Sequence, residues 1–331
     1  MRLKIIKLMR HKFIEFLYGL IELFSDNFIT YHSRPKLSCN VADEPFQVNS
    51  PDSHKCAIVL QGPLISKNNF TLETVNLYKK HFPQSCIILS TWSDENVTTI
   101  KNLEKLNIVL IKNEKPSFAG QSNVNFQIES SSVAVKHAKK LGFKYVLKTR
   151  TDQRVYSTQV LNFCLNTLKK FPLIEKKYQI ERIIAFNLNT FIYRPYSISD
   201  MINFGHVDDM EKYWSPKFDL RKIEAPKASN FLDWSTQRYA EVHFATSFLE
   251  NCGEEIDWSL KGYWRAIADR FCILNAHEID LYWRKYTRKE YRHLVYTSHK
   301  YQQINFSDWL SFQTSFPDNI PEELILTSKN F

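Results

Sequence analysis

The chain carries 331 residues, 44% of them hydrophobic with 24 Phe, 16 Tyr and 7 Trp, enough apolar material for one large domain or two. Its 7 glycines exclude a collagen-like or linker-rich architecture, and the sequence holds no fixed-period repeat or low-complexity tract. A formal charge of +9 favours anionic partners such as nucleotide phosphates, acidic lipid surfaces or phosphorylated glycans, while dispersed basic residues and the lack of a zinc-finger or similar signature argue for no nucleic acid.

The 6 cysteines show no C-x-x-C spacing, and Cys56, Cys86 and Cys272 open apolar runs, as reduced core thiols do. No disulfide framework is expected. Residues 1–30 predict an amphipathic helix, with Ile6, Met9, Phe13, Phe16, Leu17, Leu20 and Phe24 on one face and Lys4, Lys7, His11, Glu15 and Glu22 opposite. The apolar run between Glu15 and Glu22 falls far short of the ~20 residues of a membrane span, and no signal-cleavage pattern follows. Two readings stand: peripheral contact with an anionic membrane, or a helix packed on the core. Residues 31–54, with three prolines, read as a linker onto a domain over 55–331.

That domain opens with alternating patterns. Strands are predicted at Cys56–Leu60, Cys86–Leu89 and Ile108–Ile111, and helices at Thr71–His81, from an Asp94 cap to about Leu106, and from about Asn123 to Leu141 with Gly142 as its stop. A β-α-β-α-β order implies a mostly parallel sheet with helices on both faces. Asn123, Asn125 and Gln127 crowd the start of the long helix, where free N–H groups favour anions; capping explains Asn123 but not the other two.

The next strand, Tyr145–Thr149, breaks into charge: Lys148, Arg150, Asp152 and Arg154. Ligands of open α/β sheets collect beyond the carboxyl ends of the strands, so this is where chemistry is expected, against the plainer reading of a wet strand exit. Further on, Val160–Leu168 is predicted helical, Arg182–Asn187 a strand, and Tyr196–Gly205 an irregular apolar segment holding Asp200. Asp208 and Asp209 follow, then helices at Trp234–Asn251 and Ile256–Phe271 and a strand at Phe271–Asn275. Residues 156–331 read as an insertion and cap over the strand ends, with no clear linker before them. The stretch Trp283 to His293 interleaves five cations with aromatics and reads either as a closing segment over the site or as solvated surface.

Gln61-Gly62-Pro63, Ser90-Thr91-Trp92, Asn123-x-Asn125-x-Gln127, Lys148-x-Arg150-x-Asp152, Ser199-Asp200 and Phe204-Gly205, in this order, resemble the WavE-type lipopolysaccharide-synthesis family, regarded as GT-A-like glycosyltransferases. The resemblance spans roughly residues 56–250 and implies a nucleotide-binding half over residues 55–155 and an acceptor-side half and cap over 156–331. It implies a GT-A-like, Rossmann-like α/β fold and transfer of a sugar from a nucleotide-sugar donor to a glycan or glycolipid acceptor. It also implies work in the cytoplasm, peripheral to the inner face of the cytoplasmic membrane. Where many such enzymes carry Asp-x-Asp, this chain has Arg150-Thr151-Asp152.

Asp152 is then the candidate ligand for Mn²⁺ or Mg²⁺, with Lys148 or Arg150 able to share the metal's role. Gln61, Gly62 and Pro63 would turn beneath the nucleotide. Thr91 and Trp92 sit at the next strand end, Trp92 either stacking on a ring or packing in the core. Asp200, Asp208 and Asp209 are the candidate catalytic bases, with Asp208 and Asp209 equally able to cap a following helix. Two alternatives remain open: a sugar nucleotidyltransferase, against which the missing Gly-rich basic loop argues, and a non-catalytic scaffold of polysaccharide assembly.

Overall fold

A continuous apolar run is stable in an α/β protein at the centre of a sheet covered on both faces. Cys56–Gln61, every residue buried, takes that position in the computed structural model, which describes residues 12–14, 16–21, 23–24, 53–221, 227–284 and 302–314. The chain forms two compact units, residues 1–41 and 42–331. The described residues of the first are helical, with Phe13 and Phe16 exposed. Among the described residues no helix is long and apolar enough to cross a membrane.

The strands are β1 (Cys56–Gln61), β2 (Cys86–Trp92), β3 (Val109–Asn113), β4 (Tyr145–Arg150), β5 (Gln153–Val155), β6 (Ile183–Phe186), β7 (Asn203–His206), β8 (Phe271–Leu274) and β9 (Leu281–Trp283). Seven of them make one sheet of order β3-β2-β1-β4-β7-β6-β8, and β5 pairs with β9 in a second. β3, β2, β1 and β4 run parallel, as do β6 and β8, while β7 is antiparallel to both its neighbours. The fold is therefore α/β with a mostly parallel sheet. The second half extends the same sheet by three strands.

The helices are α1 (Phe70–His81), α2 (Val97–Glu104), α3 (Val124–Lys140), α4 (Val160–Lys170), α5 (Val207–Trp214), α6 (Phe231–Thr236), α7 (Ala240–Asn251), α8 (Leu260–Arg270) and α9 (Phe306–Thr314). Small inward residues let α3 lie close to the sheet: Ser130, Ser131 and Ala134 are buried, and Ser90 Oγ donates to the Ser130 carbonyl at 2.7 Å. Gly142, at φ 83°, stops α3 as expected, with Phe143 N–H returning to the Ala138 carbonyl at 3.1 Å.

Several expectations are corrected. Asn96, not Asp94, caps α2 by accepting from Thr99 N–H at 3.0 Å, and Asp94 pairs with Lys115 instead. The segment expected to be irregular yields β7, whose Gly205 leaves room for Met210: a Cβ there would meet its Cγ at 3.3 Å. The helix expected over 234–251 breaks where Arg238 turns left-handed (φ 50°), with Trp234 stacked on Tyr239 at 4.5 Å.

Candidate functional site

Register assembles the site. Gln61 pairs with Ser90 on one side and Arg150 on the other, so three motif strands end at one level. The loop beyond β1 is braced to both neighbours. Gly62 N–H donates to the Ser90 carbonyl and Thr151 N–H to the Gln61 carbonyl, each at 3.1 Å. Thr151 Oγ1 donates to the Pro63 carbonyl at 2.6 Å, and Leu64 N–H to Glu95, which Thr91 also engages at 3.0 Å. Gly62 sits at φ 121°, and a Cβ there would lie 3.1 Å from Thr151 Oγ1, so both backbone and space require glycine.

At the end of β4, Arg150 Nε and Nη2 donate to the two oxygens of Asp152 at 2.9 and 3.0 Å. Trp283 Nε1, delivered by β9, donates to Asp152 Oδ2 at 3.0 Å, and Arg284 N–H to the Asp152 carbonyl, also at 3.0 Å. Burial alone would raise the Asp152 pKa; the bonds from Arg150, its charge and the Trp283 N–H outweigh that and hold it below the ordinary carboxylate value.

This donor set does not fit the divalent cation that the Asp152 position suggests. Both carboxylate oxygens face a guanidinium, one also faces an indole N–H, and a metal there would sit beside a fixed positive charge. Among the described residues no group of three or more His, Cys, Asp or Glu is arranged to hold a metal ion.

The other candidates divide. Lys148 is fully buried; its Nζ donates to the Asp200 carbonyl at 2.8 Å and stands 3.9 Å above the Trp214 ring. Burial, helped by Arg150, brings its pKa down to about 7 against the opposing pull of Asp200 and Asp152. Arg154 is also fully buried and braces α1, through Thr74 at 3.0 Å and the Phe70 carbonyl at 3.1 Å. Of the three cations flanking Asp152 in sequence, Arg150 is therefore the one that clasps it.

Trp92 is buried, edge-on to Phe126 at 5.7 Å. Asn125 is fully buried too: its amide donates to the Asp219 carbonyl and its oxygen accepts from Asp219 N–H, both at 2.8 Å. It clamps residue 219 to the start of α3 and has no capacity left for an anion. Gln127, two residues on, is partly exposed, and its buried Oε1, like that of Gln61, has no partner among the described residues.

Asp200 precedes β7 and lies at the same edge as Lys148, since Lys148 pairs with Asn203. Asp208 does not. Tyr145 pairs with His206, so Asp208 follows β7 out of the opposite edge, about 17 Å of strand from Arg150 at roughly 3.3 Å per residue. There it pairs with Lys139 at 2.8 Å, and Asp209 caps the N–H groups of Ile180 and Glu181. An antiparallel β7, invisible in the sequence, is the reason that expectation for Asp208 fails.

Sequence reasoning gave no role to Glu241 or Tyr213, whose pKa values are raised by burial first and then by the Asp200 charge. Of the basic aromatic stretch, Trp283 and Arg284 reach Asp152 from a strand and the turn after it; residues 285–293 lie outside the described residues.

Known proteins compare as follows. Among solved structures, a mannosyltransferase from Pyrobaculum calidifontis in complex with GDP-Man and Mn²⁺ is 10% identical, with 94% of this chain and 93% of that one covered at a TM-score of 0.34. A glycosyltransferase involved in glycosylation of the major capsid of PBCV-1 is 16% identical over 56% of this chain and 72% of that one (TM-score 0.29). A cytidylyltransferase from Leptospira borgpetersenii is 11% identical over 56% and 74% (TM-score 0.31). Likenesses this distant carry no argument about chemistry. No curated protein matches the chain. The family model for WavE lipopolysaccharide synthesis matches residues 56–319, all of the sheet with its edge-site residues, and the chain belongs to that family.

Proposed function

We propose that this chain is a glycosyltransferase of GT-A type, moving a sugar from a nucleotide-sugar donor to a growing bacterial surface glycan: lipopolysaccharide core, O-antigen or capsule. The observation that carries the reading is the Arg150–Asp152 pair, held at the level where three motif strands end.

In glycosyl transfer the bond between the anomeric carbon and the phosphate oxygen lengthens, and negative charge grows on the leaving nucleotide. A guanidinium matches phosphate geometry, and orienting it beforehand avoids reorganisation during the reaction. Asp152 orients Arg150, and Trp283 orients Asp152. The loop Gly62–Ile65 lies beside them, with Leu64 N–H committed to Glu95 and Ile65 N–H to Thr71. A nucleotidyltransferase phosphate loop would need such N–H groups free, which favours glycosyl transfer over that alternative.

Incubating the protein with a panel of UDP-, GDP- and CMP-linked sugars and following nucleotide release tests the reading. Release from one class of donor is expected, faster with a glycolipid acceptor fraction; release from none overturns it.

The exposed apolar residues of the amino-terminal helix support a peripheral seat on the inner face of the cytoplasmic membrane. Full-length protein is expected to float with anionic vesicles at low salt, and protein lacking residues 1–24 to stay behind. Equal behaviour of the two would reject that seat.

A further inference from the structure

The turn between α6 and α7 builds a stack of aromatic rings. Asn230 caps α6 by accepting from Asp233 N–H at 2.8 Å, and the helix ends where Gln237 N–H returns to the Asp233 carbonyl at 3.0 Å. Arg238 then takes a φ of 50°, strained for a residue other than glycine, and turns Tyr239 back onto Trp234. The two rings lie 4.5 Å apart and 11° from parallel. The Arg194 guanidinium stands 4.4 Å from the Trp234 ring and 4.7 Å from that of Phe231, one turn earlier on the same helix face. Ser235 shares that face; it is fully buried, and its hydroxyl has no partner among the described residues. Rings packed only to fill a core would be covered, yet Trp234 and Tyr239 both stay partly exposed.

Two tethers put this stack at the edge of the sheet where Arg150 ends. β4 and β6 are each antiparallel to β7, so they run the same way. The loop of residues 187–202, which carries Arg194, therefore leaves β6 and enters β7 at that edge. Asp200 in the same loop receives Lys148 Nζ on its carbonyl at 2.8 Å. From the other side, Arg221 donates to the Gln237 carbonyl and, at 3.1 Å, to that of Arg238. Arg221 is in turn bonded to Asp219, which Asn125 clamps to the start of α3.

We propose that Trp234 and Tyr239 form the platform that receives a pyranose ring of the acceptor glycan. This rests on the glycosyltransferase reading. A pyranose presents a face of C–H groups bordered by hydroxyls, so it needs a flat apolar surface with polar groups at the rim. A Trp–Tyr pair supplies both, since each ring has an apolar body and a polar end. Rings already fixed lose little conformational freedom on binding, and the Arg194 contact and the left-handed Arg238 fix these two. An acceptor seated on them would share one edge of the sheet with a donor phosphate at Arg150, as transfer between the two requires.

The test uses the full chain and saturation-transfer NMR with methyl pyranosides of gluco, galacto, manno and 2-acetamido-2-deoxygluco configuration. Wild type, Trp234→Ala, Tyr239→Ala and Tyr239→Phe are compared, with Kd for UDP, GDP and CDP measured alongside. Wild type should saturate the ring C–H protons of at least one pyranoside. Each alanine variant should bind it at least about tenfold more weakly, as truncating an aromatic anchor does, and Tyr239→Phe within about threefold of wild type. Nucleotide Kd should be the same in all four. Once a donor is identified, the alanine variants should raise acceptor KM about tenfold. Saturation of no pyranoside by wild type, or equal saturation in wild type and both alanine variants, overturns the platform; nucleotide release from a donor would still uphold the enzyme reading. Pyranoside binding lost in the alanine variants, with wild type releasing nucleotide from no donor, upholds a sugar site and overturns its acceptor role together with the enzyme reading. Should Trp234→Ala fail to fold, Tyr239→Ala decides: unchanged pyranoside binding there overturns the proposal.

Discussion

Asp152 shows how one residue's role is set by partners far away in sequence. Its importance was legible: a carboxylate among cations at the carboxyl end of a buried strand has few ordinary explanations. Its state was not. Lys148 and Arg154 carry the same formal charge as Arg150 yet are fully buried, each spent on a different neighbour. Trp283, 131 residues downstream, supplies the indole bond that no local pattern announces. Trp283→Phe keeps an aromatic ring at the position, though a smaller one, and deletes the N–H. It should cost about 1 kcal/mol of stability, the worth of one hydrogen bond, and weaken nucleotide-sugar binding several-fold as Arg150 loses its fixed orientation. Thermal unfolding and donor titration measure the two; an unchanged donor Kd would show that Trp283 does not orient the pair.

Elements were legible in proportion to the continuity of their pattern. β1, β2 and β4 each open on an apolar run, and α1 and α3 repeat at helical spacing, so their existence and order could be read directly. β7 could not, since Asn-Phe-Gly-His carries one large apolar residue and owes its place to neighbours on both sides. β9 could not either, because its partner β5 lies some 130 residues earlier in the chain.

The start of α3 is a similar case. Gly120, Ser122 and Asn123 take positive φ angles of 66°, 54° and 61°, a costly run for non-glycine residues. Asp219 holds it in place, accepting from Gln121 N–H at 2.8 Å and from Arg221 N–H at 3.0 Å. Burial would raise the Asp219 pKa, but the bonds from Arg221 and Gln121 bring it down to about 2. A carboxylate with a depressed folded pKa contributes stability that is fully present above its ordinary value and lost as pH falls through the folded one. Asp219→Asn should therefore destabilise the protein at pH 7 by about 1–3 kcal/mol, as expected for a hydrogen-bonded buried charge. The gap between variant and wild type should narrow between roughly pH 4 and pH 2. Equal unfolding midpoints at pH 7 would mean that Asp219 does not hold the turn.

At the scale of the molecule, one seven-stranded sheet runs through both halves, and parallel strands carry their chemistry to a common edge. The sequence motifs were legible as a series because most of them lie in or beside strands of that sheet, and family membership over residues 56–319 covers the same span. Which residues face one another at that edge was not legible, since register and the antiparallel β7 decide it.

The central claim is that Arg150, clasped by Asp152, receives the nucleotide phosphates without a metal at Asp152. Calorimetric titration of UDP, GDP and CDP into wild type and Arg150→Gln, in EDTA, tests it most directly. Wild type should bind one of them in chelator, and Arg150→Gln should bind it at least about tenfold more weakly, a loss of roughly 1.4 kcal/mol, in a variant that still unfolds cooperatively, at a lowered temperature because Asp152 loses its partner. Binding that appears only on adding Mn²⁺ or Mg²⁺, binding equally tight in Arg150→Gln, or no binding of any of the three would contradict the account.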